Sequence, residues 1–345
     1  MNIFARLVAG SLLAAVMPSW AGEWNPRLAA AYLDGRQAEW AAWAPAKATG
    51  GTCLSCHTGA TYLLARPALR KALGEAEPTP YETALLDGLR ARVDKTEVKD
   101  LFAGFRKEPG ASQAVGVESI FAALFLGSEK ALDRMWSLQG RGDSPGSWAW
   151  FSLKLDPWEM PESSYYGATL AALATANAPA DYRNRPDVRD HTTALSTYLA
   201  REDAKQPMHN RLMALWASTK LPQALSKPAR QALIDELWRA QQADGGWSME
   251  SLGPWAKHPD APASTGSNSY ATGLVAFILP QAGVPRSDKR LVRALDWLSA
   301  HQDRESGSWA ANSMNKVFPA DSMQVKFMRD AATSFAVLAL LEAGR

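Results

Sequence analysis

The chain of 345 residues is 47% apolar and 21% charged, with a net charge of +2. That length and composition support a sizeable buried core. The two signs of charge are mixed along the chain, with no basic patch or stripe of the kind a nucleic-acid surface requires. Alanine-rich stretches interrupted by Gly, Pro and Trp point to helices joined by turns.

Residues 1–21 read as a secretory signal. Arg6 supplies the positive end, Leu7 to Met17 the apolar core, and Ser19 and Ala21 the small side chains for cleavage before Gly22. The core is short for a bilayer span, although an uncleaved anchor stays open as the alternative. The expected location is the periplasm, with no membrane span after removal of the signal. Residues 22–345 are expected to form one domain.

A first helix is predicted over 27–43. "GGTCLSCHTGATYLLARP" at 50–67 then supplies both cysteines of the chain, followed at once by His57. A disulfide between Cys53 and Cys56 would close only a tiny loop and contribute little. In an exported protein, C-x-x-C-H is the spacing of covalent c-type haem attachment. On a helical turn, Cys53 and Cys56 lie at i and i+3, within reach of two vinyl groups of one porphyrin. His57 would ligate the iron through one ring nitrogen and donate from the other to a backbone carbonyl. One covalent haem c is therefore expected at 53–57. A zinc knuckle, a thioredoxin-like pair and a structural pair remain alternatives. Pro67 is expected to end or kink the helix that follows.

Further helical patterns fall at 81–106, 129–139, 187–201, 226–242 and 288–302. Small-residue apolar helices alternate with them: "VESIFAALFLG" (117–127), "YYGATLAALA" (165–174), "HNRLMALWAST" (209–219), "SYATGLVAFI" (269–278) and "RDAATSFAVLAL" (329–340). "HTGATYLLA" at 57–65 belongs to the same set. Thr61, Thr169, Thr272 and Thr333 are separated by 108, 103 and 61 residues, two of these gaps being about twice a single unit. Six helical hairpins account for the chain.

Three turns carry a further signature: "WSLQGRGDSPGSW" (136–148), "WRAQQADGGW" (238–247) and "WLSAHQDRESGSW" (297–309). This Gln-to-Gly-x-Trp pattern resembles the QW repeats of squalene cyclases and of the wider terpenoid cyclase and protein prenyltransferase group. The resemblance covers about 130–345 best. It implies an all-α fold in which six hairpins close into an (α/α)6 barrel, or toroid. It also implies structural roles for Gln139, Gln241, Gln302, Trp148, Trp247 and Trp309 in tying outer helices to turns; a tryptophan-rich ligand surface is the alternative. The Asp-x-Asp-Asp acid of squalene–hopene cyclases is missing, and the nearest acidic run, "DVRDH" at 187–191, has different spacing. The separated Asp, Cys and His zinc ligands of prenyltransferases have no counterpart in the clustered cysteines.

No Met or His occurs between His57 and Met135, so a second axial ligand has to come from another repeat, or the iron is five-coordinate. Candidates are Met314, Met323 and Met328, in the loop that ring closure would bring to the first repeat, together with His258 and His209. His191 and His301 fall on predicted outer helices. Repeat alignment sets His57 beside Tyr165, Asn268 and Arg329, and Thr58 beside Tyr166, Ser269 and Asp330, all expected near one rim. Arg329 or Arg66 would pair with haem propionates, while Asp330 and Ser269 would cap inner helices. The leading expectation is a monohaem electron-transfer protein with a periplasmic redox partner. A haem-dependent oxidoreductase acting on a hydrophobic, isoprenoid-type molecule is the first alternative. A ligand-binding or sensing toroid with a structural haem is the second.

Overall fold

Asn25 accepts hydrogen bonds from the backbone of Arg27 and Leu28, and Pro26 supplies a preset first residue, so α1 begins at Pro26 and runs to Ala42. The computed structural model describes residues 24–95, 107–262 and 264–345. The expected signal at 1–21, and the 96–106 portion of the helix expected over 81–106, lie outside the described residues.

The remaining helices are α2 (Ala60–Leu73), α3 (Pro80–Arg92), α4 (Gly110–Leu126), α5 (Glu129–Ser137), α6 (Ser163–Asn177), α7 (Ala180–Arg183), α8 (Pro186–Glu202), α9 (Met208–Lys220), α10 (Lys227–Ala240), α11 (Ser269–Gln281), α12 (Lys289–Ala300) and α13 (Phe327–Glu342). A ribbon of β1 (Lys47–Ala48) against β2 (Gly51–Thr52) is the only sheet among the described residues. The protein is all-α. Side-chain caps recur where the sequence offers them: Thr79 and Glu82 form a reciprocal capping box on α3, Ser128 caps α5, and Asp288 caps α12.

Helices divide by how they are buried. Ser269 to Leu279 of α11 are buried without interruption, as are Tyr165 to Thr175 of α6. Such all-round burial marks a helix enclosed by others. By contrast, α12 buries only the stripe of Leu291, Ala294, Leu295, Trp297 and Leu298. The enclosed helices pack in the series α4, α6, α9, α11, α13, α2, while α5, α8, α10, α12 and α1 lie against their outer sides. Between the two ends of that series, α3 contacts both α2 and α4.

The QW turns show why their residues recur. Trp148, Trp247 and Trp309 are fully buried. Their indole N–H groups donate to Met135, Leu237 and Leu298 carbonyls at 2.6, 2.7 and 2.7 Å, closing the C-terminal turns of α5, α10 and α12. The backbone N–H groups of Trp247 and Trp309 donate to Thr272 and Thr333 hydroxyls at 3.0 and 3.1 Å, whereas the Thr61 and Thr169 hydroxyls donate to the His57 and Tyr166 carbonyls. Each glutamine reaches the neighbouring outer helix. Gln139 bonds the His191 carbonyl of α8, Gln241 the Arg290 carbonyl of α12, and Gln302 both backbone groups of Asn25 at the head of α1.

One part of an expectation is corrected here. Pro67 does not end α2, which continues to Leu73. The Pro removes one backbone hydrogen bond, but α2 is wedged between α1 and α13, with Leu63, Ala65 and Leu69 buried. Tertiary packing outweighs the local preference.

Candidate functional site

Both cysteines and His57 lie at the entrance to α2. Ribbon β1–β2 delivers the chain to Cys53, whose N–H donates to the Ala46 carbonyl at 2.7 Å. A wide π-helical turn follows over Ser55–Gly59, a form common at functional sites. Ser55 has φ +58, and its hydroxyl accepts from Thr58 and Gly59 N–H groups at 3.2 and 3.1 Å, so the helix starts only there. Cys53 therefore precedes the helical turn rather than lying on it, which corrects the simple i, i+3 expectation. Gly59 is required by space, since a Cβ there would stand 2.0 Å from the Leu54 carbonyl oxygen. From α1, Gln37 donates to the Thr58 carbonyl at 3.1 Å and Trp40 to the Cys53 carbonyl at 2.7 Å.

His57 is held on every side. Its ring stacks on Phe327 with centroids 3.6 Å apart and meets the edge of Trp40 at 5.6 Å. Nδ1 lies 2.8 Å from the Thr58 hydroxyl. That hydroxyl spends its proton on Asp330 Oδ2 at 2.7 Å, so it accepts from His57, and Nδ1 carries the imidazole proton. The expected donation to a backbone carbonyl is thus replaced by a hydroxyl–carboxylate relay. Asp330 also receives Arg36 through Nε at 2.7 Å and Nη2 at 3.0 Å, and Tyr32 at 2.9 Å. Burial, reinforced by the Arg36 charge, pushes the His57 pKa down to about 3, so the ring is neutral near pH 7. Its Nε2, with a lone pair, makes no hydrogen bond among the described residues.

Cys53, Cys56 and His57 line one cavity of about 420 Å³, walled by Trp40, Phe121, Phe151 and Phe327 and lying between the motif and α4. Such a volume and lining are those of a small-molecule or cofactor site. Both thiols are free. Burial, followed by the field of Glu118, pushes the Cys53 thiol up to about 12, and burial raises Cys56 as well. A thioredoxin-like pair needs the opposite shift. Among the described residues no group of three His, Cys, Asp or Glu side chains could hold a metal, so the zinc-knuckle reading finds no ligand set. Two thiols and one imidazole with a free Nε2, converging on an apolar cavity, fit covalent haem attachment.

A second lobe of about 240 Å³ adjoins the first and shares His57, Glu159, Gln324 and Phe327 with it. Of the candidates for a second ligand, Met328 lines this lobe. Met323 instead accepts from Arg36 Nη2, and His258 lies 3.1 Å from Asp156. His209 is fully buried, with Nε2 2.8 Å from the Tyr270 hydroxyl and Nδ1 3.1 Å from Asn210. Met314 packs at the edge of the core. His191 is tied to Gln139, and His301 stacks on Trp297.

The aligned rim positions converge only in part. Thr58 and Asp330 meet beside His57, whereas Tyr165 turns outward to the Leu199 carbonyl of α8 and Tyr166 stacks on His209. Asn268, not Ser269, caps α11. Asp330 does not cap α13; it is drawn inward by Arg36, Tyr32 and Thr58. Arg66 is taken by Asp34 at 3.0 Å and Glu75 at 2.8 Å, and neither it nor Arg329 lines the two lobes. Phe327, Trp158 and Glu159 had no motif to mark them, because cavity walls in irregular loops and at a helix end leave no periodic signal.

No helix among the described residues is long and apolar enough to cross a membrane. No family model matches the chain. Comparison with curated proteins gives no match either.

Proposed function

We propose that the chain is an exported c-type haem protein built as an (α/α)6 toroid, carrying one haem bonded to Cys53 and Cys56, with His57 as an axial iron ligand. The observation that carries this reading is the His57 tautomer: a proton pinned on Nδ1 by Thr58 and Asp330 leaves Nε2 as the ligating atom. The toroid is supported by the packing series of enclosed helices and by Gln302 binding Asn25 across 277 residues.

When bound, the haem supplies one-electron redox chemistry. The protein's own residues do the rest. Phe327 and Trp40 fix the imidazole plane, the relay to Asp330 raises its donor strength, and the aromatic wall excludes water. Transfer of electrons to a periplasmic partner is the use this arrangement supports best. A second reading, oxidation of a small molecule, is favoured by the second lobe that continues past His57.

Expression with periplasmic haem maturation, followed by a pyridine haemochrome spectrum, tests the proposal. A c-type spectrum that disappears in Cys53→Ala/Cys56→Ala is expected; its absence from the native protein refutes the haem. Slow or absent carbon monoxide binding by the ferrous form supports electron transfer, and rapid binding supports the second reading.

A further inference from the structure

We propose that the second lobe binds a small organic amine, with Glu159 as its anionic contact and Trp158, Phe318 and Phe327 as its aromatic walls. The lobe measures about 240 Å³ and is lined by these rings together with Asp156, Met328 and Lys316. Glu159 sits where the two lobes join and lines both. Its carboxyl group has no hydrogen-bond or ionic partner among the described residues, and burial alone pushes its pKa up to about 7. A part-buried carboxylate left unpaired among aromatic rings is costly, and a cation placed against it removes that cost.

The other charges sharpen the choice. Asp156 already has a side-chain partner, His258 at 3.1 Å, and its backbone N–H and carbonyl are both satisfied by Asn315. Lys316 is exposed at the rim, with its ammonium group 4.9 Å from the centre of the Phe318 ring. Lys316 forms no ion pair among the described residues, and Glu159 is the unmatched, part-buried carboxylate of the lobe. Aromatic faces around an unmatched carboxylate favour an organic cation over a neutral or anionic ligand of equal size. The small volume limits the ligand to about one ring with a short arm.

The lobe stands without the haem, so its test is read separately. Mature protein, its haem content recorded by haemochrome, is titrated with benzylamine, benzyl alcohol and benzoate while Trp fluorescence and heat of binding are followed. Benzylamine is expected to bind at least tenfold more tightly than benzyl alcohol, with benzoate weakest. Glu159→Gln is expected to abolish the preference for the amine while leaving alcohol binding unchanged. Phe318→Ala, at the partly exposed rim, is expected to weaken amine and alcohol alike. No benzylamine binding at millimolar concentration, benzoate binding as tightly as the amine, or an amine preference that survives Glu159→Gln would each overturn the proposal. A missing haem signal alongside amine selectivity would refute the haem and leave the lobe standing.

Discussion

Thr58 and Asp330, 272 positions apart in sequence, share a 2.7 Å hydrogen bond that decides which nitrogen of His57 is protonated. Thr58→Val removes the acceptor of the imidazole proton without changing side-chain volume. Thioether attachment is expected to persist, because neither sulfur is touched. The imidazole becomes a weaker donor, so the reduction potential of the proposed haem is expected to rise. Stability should fall by about 1–2 kcal/mol. A redox titration showing an unchanged or lowered potential would remove the relay from the account of the site.

Gln302 links the last outer helix to the first by accepting from Asn25 N–H and donating to its carbonyl. Gln302→Ala leaves both groups part-buried without this partner and should cost about 1–3 kcal/mol. Amide exchange is expected to speed up at the start of α1 before any other outer helix. Uniform loss of protection across the molecule would contradict this placing of the clamp.

Trp309 fills the interior behind the third QW turn and bonds Leu298. Trp309→Ala should destabilise the fold by about 3–5 kcal/mol. Gly307, in the same turn, has φ +76, and a Cβ there would stand 2.3 Å from the Leu28 backbone carbon. Gly307→Ala therefore combines left-handed strain with a clash against α1, and it should lower the melting temperature without altering the 53–57 motif. Wild-type melting temperatures in both variants would show that the turn is ornamental.

His209 is buried, and its pKa is pushed down to about 4 from 6.5, chiefly by loss of solvent. The unfolded chain thus binds a proton below pH 6.5 that the folded chain refuses until about pH 4. Stability from this group is complete above pH 6.5 and declines as pH falls through that window, by an amount on the order of 3 kcal/mol. Denaturant midpoints measured from pH 7.5 to 4.5 should fall, with a shallower slope in His209→Gln. Equal slopes in the two proteins would dismiss His209 as a source of acid sensitivity.

The helices were legible because enclosed and outer helices differ in composition: "SYATGLVAFI" is buried all round, whereas 289–300 keeps one apolar stripe. The QW pattern was legible because Trp, Gln and Thr each satisfy a specific backbone group at fixed spacing. What escaped was set by long-range packing. Pro67 reads as a helix end only until α2 is packed between α1 and α13, and Asp330 reads as a cap until Arg36 draws it inward. The second lobe had no local signature, since Trp158, Glu159, Phe318 and Phe327 come from separate loops and one helix end.

Phe327 and Asp330 belong to the final helix, while the histidine they support lies in the turn that enters α2. A chain that emerges from its amino end presents Cys53, Cys56 and His57 long before α13 exists. During that interval the imidazole has neither its stacking floor nor its proton acceptor, and non-local contacts of this kind form late in folding. On the proposed haem reading, covalent chemistry at the cysteines and final setting of the ligand are thereby separated in time. The last hairpin acts as the latch on a site whose reactive atoms were delivered first.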